Sequence, residues 1–150
     1  MRPECVILIG LPGSGKSTFY RQRLAATHEL ISKDLLPNVR QRQDRQDQLL
    51  RTTLARGASV AVDNTNVSPA ERAAIIRIAQ EYGARVVGTY IEATTREAVA
   101  RNERRAGRDR VPKVAIFTCA KRLVAPDPEE GFDELHRYRV DPDGRFVEAE

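Results

Sequence analysis

Long apolar runs are missing from this chain. No stretch approaches the roughly 18 residues that a membrane-spanning helix needs, and the first residues lack the charged-then-apolar pattern of an export signal. Cysteine is scarce. Cys5 falls in an apolar run and Cys119 in a distant helical pattern, which excludes a cysteine metal cluster or a disulfide framework and fits reduced structural thiols. A cytoplasmic protein is the expectation. His28 and His136 have no neighbour at metal-ligand spacing and read as structural. Aromatic residues are sparse, and Tyr20, Tyr82, Tyr90 and Tyr138 are too scattered to form a platform on which bases stack. Tyr138 and Phe132 read as core or rim. No linker, repeat or low-complexity tract interrupts the chain, and no heptad or exposed apolar stripe announces an oligomer.

What the chain has in excess is arginine. The net charge is only +4, but 21 of the 25 basic residues are arginine, the side chain that grips phosphate with a planar fork. An arginine-rich genome produces the same bias, so position must separate the two readings. The decisive positions lie near the start, where Gly10-Leu11-Pro12-Gly13-Ser14-Gly15-Lys16-Ser17-Thr18 fits G-x-x-x-x-G-K-[ST], the phosphate-binding P-loop. The apolar run Cys5-Val6-Ile7-Leu8-Ile9 precedes it and a helix-compatible stretch follows. Glycines in such a loop let backbone N–H groups converge on a phosphate, as a helix N-terminus does with its unpaired donors. Gly10, Pro12, Gly13, Ser14, Gly15, Lys16, Ser17 and Thr18 are therefore assigned to a nucleoside triphosphate, ATP with Mg²⁺. Lys16 is expected to reach the β- and γ-phosphates and the Ser17 hydroxyl to hold the metal.

Periodicity predicts strands over residues 5–9, 29–32, 59–63, 85–92 and 134–140, and helices over 16–26, 41–56, 69–82, 95–104 and 112–124. Strands alternating with helices imply one domain over residues 1–150, a three-layer α/β/α fold around a mainly parallel sheet. Ser68-Pro69-Ala70-Glu71 is a helix start and Gly83 a helix stop; Asp141-Pro142-Asp143-Gly144 reads as a hairpin turn.

Ligands of such sheets gather at the carboxyl ends of the strands, and three polar groups fall there besides the P-loop. Asp34, after the second predicted strand, either accepts the proton of an acceptor hydroxyl or caps a turn. Asp63 ends Val60-Ala61-Val62 and reads as a second Mg²⁺ residue beside Ser17; the following Asn64-Thr65-Asn66 is either site or Asx turn. Arg101-Asn102-Glu103-Arg104-Arg105-Ala106-Gly107-Arg108-Asp109-Arg110-Val111-Pro112 carries five arginines between a helix stop and a helix restart. One or two of them are expected to form a catalytic lid over residues 101–112, the rest to face water. Arg40 and Arg42, nearest Asp34, either contact an anionic acceptor or decorate an exposed helix.

Together these motifs resemble the 5′-hydroxyl polynucleotide kinase family, in particular the kinase module of the polynucleotide kinase 3′-phosphatases. The resemblance rests on Gly10–Phe19, Ser32-Lys33-Asp34, Val62–Asn66 with Arg72, the Arg101-Asn102…Arg105…Val111-Pro112 segment and Lys121–Phe132. It implies Asp34 as the general base toward a 5′-OH, Lys16 and Arg105 as stabilisers of the transferring phosphate, and Arg101 as an assistant on the same nucleotide. Asp63 and Thr65 would border the acceptor. Arg72 would neutralise an acceptor phosphate or else lie exposed on its helix. Where some members hold the acceptor's phosphate with an arginine three residues after the base, this chain has Pro37, leaving Arg40 as the substitute. No D-x-D-x-T phosphatase signature occurs, so a lone kinase module acting on a nucleic acid 5′-OH end is the expectation. A P-loop kinase of a metabolite or tRNA-linked hydroxyl shares every ATP-side residue; a nucleotide-gated regulator would need neither base nor lid arginine.

Overall fold

The computed structural model describes residues 2–36, 39–107 and 110–149. Among them six strands form one sheet in the order β2-β3-β1-β4-β5-β6. They are β1 (Glu4–Ile9), β2 (Glu29–Ile31), β3 (Val60–Asp63), β4 (Arg85–Ile91), β5 (Glu134–Val140) and β6 (Phe146–Glu148). The first five run parallel, and β6 returns antiparallel to β5. The helices are α1 (Lys16–Phe19), α2 (Arg42–Ala55), α3 (Pro69–Glu81), α4 (Thr95–Glu103) and α5 (Lys113–Arg122).

The apolar run of β1 is continuous because the strand is covered on both faces, the usual condition of a central parallel strand. Cys5, Ile7 and Ile9 pack with Leu50 and Leu54 of α2 and with Ile75, Ile76, Ile78 and Ala79 of α3. The alternate residues Val6 and Leu8 face Phe19 of α1, Val87, Ile91 and Phe146. Side chains of period two thus feed two cores, and the three layers follow. A third, smaller cluster joins Leu11 of the phosphate loop to Ala98 of α4 and Ile116 of α5.

The helix signals act as read. Ser68 caps α3 by accepting from the Glu71 N–H, Pro69 fills the first turn, and Gly83 closes the far end with φ of 66°. Asp141 Oδ1 accepts from the N–H groups of Asp143 and Arg145, which makes the predicted hairpin turn. Two features differ from the sequence reading. The first helix narrows to one turn of α-helix and continues as a π-helical turn over Tyr20–Leu24, where Ala25 N–H reaches back to Tyr20 O at 2.8 Å. The hairpin also delivers β6, whose three residues are too few to show a period. Its Phe146 is buried in an edge-to-face contact with Phe19, ring centroids 5.2 Å apart, and so carries the C-terminal hairpin into the α1 face.

Candidate active site

The ends of β1, β2 and β3 bring the expected groups together. Gly10–Gly15 bends the chain from β1 into α1, with Gly15 as N-cap in the left-handed region. Gly13, at φ of 83°, is required twice over. A Cβ there would also lie 2.5 Å from the Ala98 carbonyl, so α4 rests directly on the loop. Arg101, one turn further along α4, donates from Nη1 to the Ser14 carbonyl at 3.0 Å. The loop is therefore shaped by α4 as much as by its own glycines. On its other side the Gly10 N–H donates to Thr65 O at 3.0 Å, tying the loop to the turn after β3.

Lys16 folds back onto its own loop and donates from Nζ to Gly10 O and Leu11 O, both at 3.0 Å. Burial pushes its pKa down to about 8. The Asp63 and Asp34 carboxylates oppose that shift, and the Arg105 guanidinium adds to it. Residues from three other segments thus lie close enough to act on one ammonium. An anionic ligand favours the protonated form and would draw the pKa back up, so binding above pH 8 must take up a proton. Affinity for ATP is accordingly expected to be flat below about pH 7 and to weaken by up to about tenfold per pH unit above 8. Isothermal titration calorimetry across that range checks it, and Lys16→Met should remove the slope along with most of the affinity.

Ser17 donates to Asp63 Oδ2 at 2.9 Å, so the two residues assigned to Mg²⁺ already touch. Both offer hard oxygen donors, the chemistry that Mg²⁺ selects. Ser14 Oγ, fully buried in the loop, is the buried side-chain polar atom with no hydrogen-bond partner among the described residues. An unsatisfied hydroxyl inside a glycine loop fits a polyphosphate. Thr18 Oγ1 instead accepts from Arg21 Nη2 at 3.1 Å.

Asp34 lies in the one-turn 3₁₀ segment Lys33–Leu35, with its N–H donating to Ser32 Oγ at 3.3 Å and its side chain exposed. The cap of that turn is Ser32, not Asp34, which leaves the carboxylate clear of the capping role. Asn64 and Asn66 resolve as scaffold. Asn64 accepts from Lys33 N–H at 3.0 Å and donates to the buried Gln46 at 2.7 Å; Asn66, at φ of 48°, donates to Leu8 O at 2.7 Å. Arg40 is exposed on the 3₁₀ turn Val39–Gln41, beyond Pro37, which lies outside the described residues. Arg105 is half-buried, and its N–H donates to Asn102 O at 3.0 Å. Arg108 lies outside the described residues.

The assignment of Arg72 needs correction. Its guanidinium is 0% exposed and forks onto Glu130 at 2.8 and 2.9 Å, with further bonds from Nη1 to Asn66 O and Val124 O. A group enclosed in this way is not on a surface where an acceptor phosphate can meet it. The expectation failed because Arg72 was read without its helical neighbours: Ile75, Ile76 and Ala79 share its buried face. Asn102 and Phe146 were given no role at all. A lone Asn near the end of a helix, within the lid segment, was the available signal for the first.

Strand order, a glycine loop between β1 and α1, and an acid ending β3 beside that loop define a P-loop kinase fold. The chain belongs to the AAA domain family, whose model matches residues 5–126. It is 28% identical over 136 residues to the bifunctional polynucleotide phosphatase/kinase of Schizosaccharomyces pombe, covering 88% of this chain. The chain spans only 32% of that protein's length. Among solved structures it is similar to the Pnkp1/Rnl/Hen1 RNA repair complex, with 25% identity and a TM-score of 0.68 over 81% of this chain and 44% of that one. It is also similar to a sugar kinase from Janibacter sp., with 17% identity and a TM-score of 0.66 over 89% and 84% of the two chains. Among the described residues, no helix is long and apolar enough to cross a membrane.

Proposed function

We propose that the chain is one kinase domain, with its lid over residues 101–112, that transfers the γ-phosphate of ATP to the 5′-OH of RNA or DNA. The observation that carries this reading is the Ser17–Asp63 hydrogen bond, 2.9 Å, beside a buried Lys16 in the glycine loop, within electrostatic reach of Asp34 and Arg105. A protein that only binds nucleotide needs neither the base nor the arginine. The similarity to a polynucleotide phosphatase/kinase supports the acceptor class.

In this reading Asp34 takes the proton of the 5′-OH as its oxygen bonds to the γ-phosphorus and the bond to the β–γ bridging oxygen breaks, releasing ADP. Lys16 leaves its loop carbonyls for the phosphates, and Arg105 stabilises charge on the transferring group. Arg101 acts through the loop backbone that it holds. Ser17 and Asp63 would hold Mg²⁺, which would neutralise phosphate charge there. Thr65 and Arg40 are assigned to the acceptor side.

Asp34→Ala is expected to lower transfer of labelled phosphate to a 5′-OH oligonucleotide by about 10²–10⁴-fold while ATP binding survives. Full activity in that variant ends the base assignment. Salt tests the acceptor class. Each phosphate held on a single strand contributes roughly −0.7 to the slope of log K against log salt, and an uncharged metabolite contributes almost none.

A further inference from the structure

Asn102, the last buried residue of α4, makes a paired contact that the reaction above does not use. Its Nδ2 donates to Val111 O at 2.6 Å and its Oδ1 accepts from Val111 N–H at 2.9 Å. One carboxamide thus satisfies both backbone groups of a residue nine positions on, as a neighbouring strand would. The side chain is 1% exposed, so these bonds are screened little by water. Between Asn102 and Val111 runs the arginine-bearing segment, and the first of its inner contacts also ends on Asn102: Arg105 N–H donates to its carbonyl at 3.0 Å.

The neighbouring residue completes the connection. Arg101 grips the Ser14 carbonyl of the phosphate loop, while Asn102 grips the returning chain. A second cross-link over the same gap, Glu103 to Lys113 at 3.0 Å, is exposed on both sides, and such surface pairs contribute little. Val111 itself packs on the cluster of Leu11, Ala98 and Ile116, so the clasp is anchored to the floor of the phosphate loop.

We propose that Asn102 is a positioning residue that closes the base of the lid and fixes Arg105 at the phosphate-transfer site. The proposal rests on the phosphoryl-transfer reading of the lid but not on the identity of the acceptor. Loss of the carboxamide frees both ends of the segment, and the arginine then samples positions away from the transferring phosphate. Binding of ATP by the glycine loop does not depend on that placement, so the effect falls on turnover.

The test uses the full chain with Asn102→Ala, Asn102→Asp and, as a control, Glu103→Gln. Asn102→Ala is expected to lower kcat at least about tenfold with KM for ATP changed less than about threefold, and to speed hydrogen exchange of the amides in 103–107. Glu103→Gln should change neither. In an Arg105→Ala background, adding Asn102→Ala should change kcat by less than about twofold, because the group it positions is gone. An equal loss in both backgrounds, or unchanged kcat with unchanged exchange, overturns the proposal. Should Asn102→Ala not fold, Asn102→Asp serves in the same comparison, since it keeps the acceptor for Val111 N–H but sets a carboxylate oxygen against the Val111 carbonyl in place of the donor. The ratio of affinities for ADP–aluminium fluoride and ADP gives an acceptor-independent readout: it should fall in Asn102→Ala and hold in Glu103→Gln. If wild-type protein transfers nothing to a 5′-OH, the acceptor reading fails alone, and this ratio still decides the role of Asn102.

Discussion

Arg105→Ala is expected to lower turnover by about 10³-fold or more, with little change in the dissociation constant of ATP. The magnitude follows from where charge develops. In phosphoryl transfer the equatorial oxygens of the moving group carry it, and a guanidinium beside them acts in a partly water-excluded space. Arg105 already acts electrostatically on Lys16, the lysine of the P-loop motif. Its neighbours are less suited. Arg104 is exposed at the end of α4, and Arg110 is exposed beyond the lid's turn. Single-turnover kinetics with ATP in excess separates this effect from binding. Wild-type turnover in the variant retires the lid assignment, and a matching loss in Arg104→Ala moves it one residue back.

The second large effect is structural. Glu130→Ala or Arg72→Ala is expected to lower stability by about 3–5 kcal/mol, because either change leaves an uncompensated group of a buried ion pair. Arg72 is enclosed and Glu130 is mostly so, with side-chain exposures of 0% and 16%. Burial pushes the Glu130 carboxyl up, but the Arg72 hydrogen bonds and the Asp127 N–H outweigh it and hold it below its ordinary value. A carboxyl lowered on folding stabilises above its unfolded pKa, and that contribution disappears as the solution is acidified through the folded value. Urea unfolding at neutral and acid pH measures both. Replacing the pair together by Met and Leu should recover much of the loss, since well-packed apolar pairs equal buried ion pairs. A loss under about 1 kcal/mol combined with a raised KM for the acceptor would return Arg72 to the acceptor side.

The sheet was legible because its strands differ from their surroundings in kind. Cys5–Ile9, Val60–Val62 and Val86–Val87 are apolar on both faces, and only a covered parallel sheet accommodates that. The loop between β1 and α1 was legible because its chemistry is local: glycines, a lysine and a serine at fixed spacing. Asp63 was legible as the end of a strand, and Asp34 as a residue just beyond one. What the chain hid depends on contacts distant in sequence. Glu130 lies 58 residues from Arg72, and nothing local marks the pair. Val111 and Asn102 are nine residues apart, too far for a helical rule and too near for a strand rule. Lys16 resting on its own carbonyls depends on the closed shape of the loop, which a pattern of letters does not contain. The π-turn after Phe19 is likewise a response to packing, since Tyr20–Leu24 reads as ordinary helix.

Both outermost strands, β2 and β6, have only three residues. An open ladder of main-chain donors and acceptors invites a neighbouring molecule to add its own strand, and the invitation grows with length. Here each margin ends almost as soon as it begins, and Lys33 N–H next to β2 is already engaged by Asn64. Concentrated solutions of the chain therefore have scant template for edge-to-edge growth into fibrils, although strands within the sheet such as β1 and β3 are rich in the residues that build them.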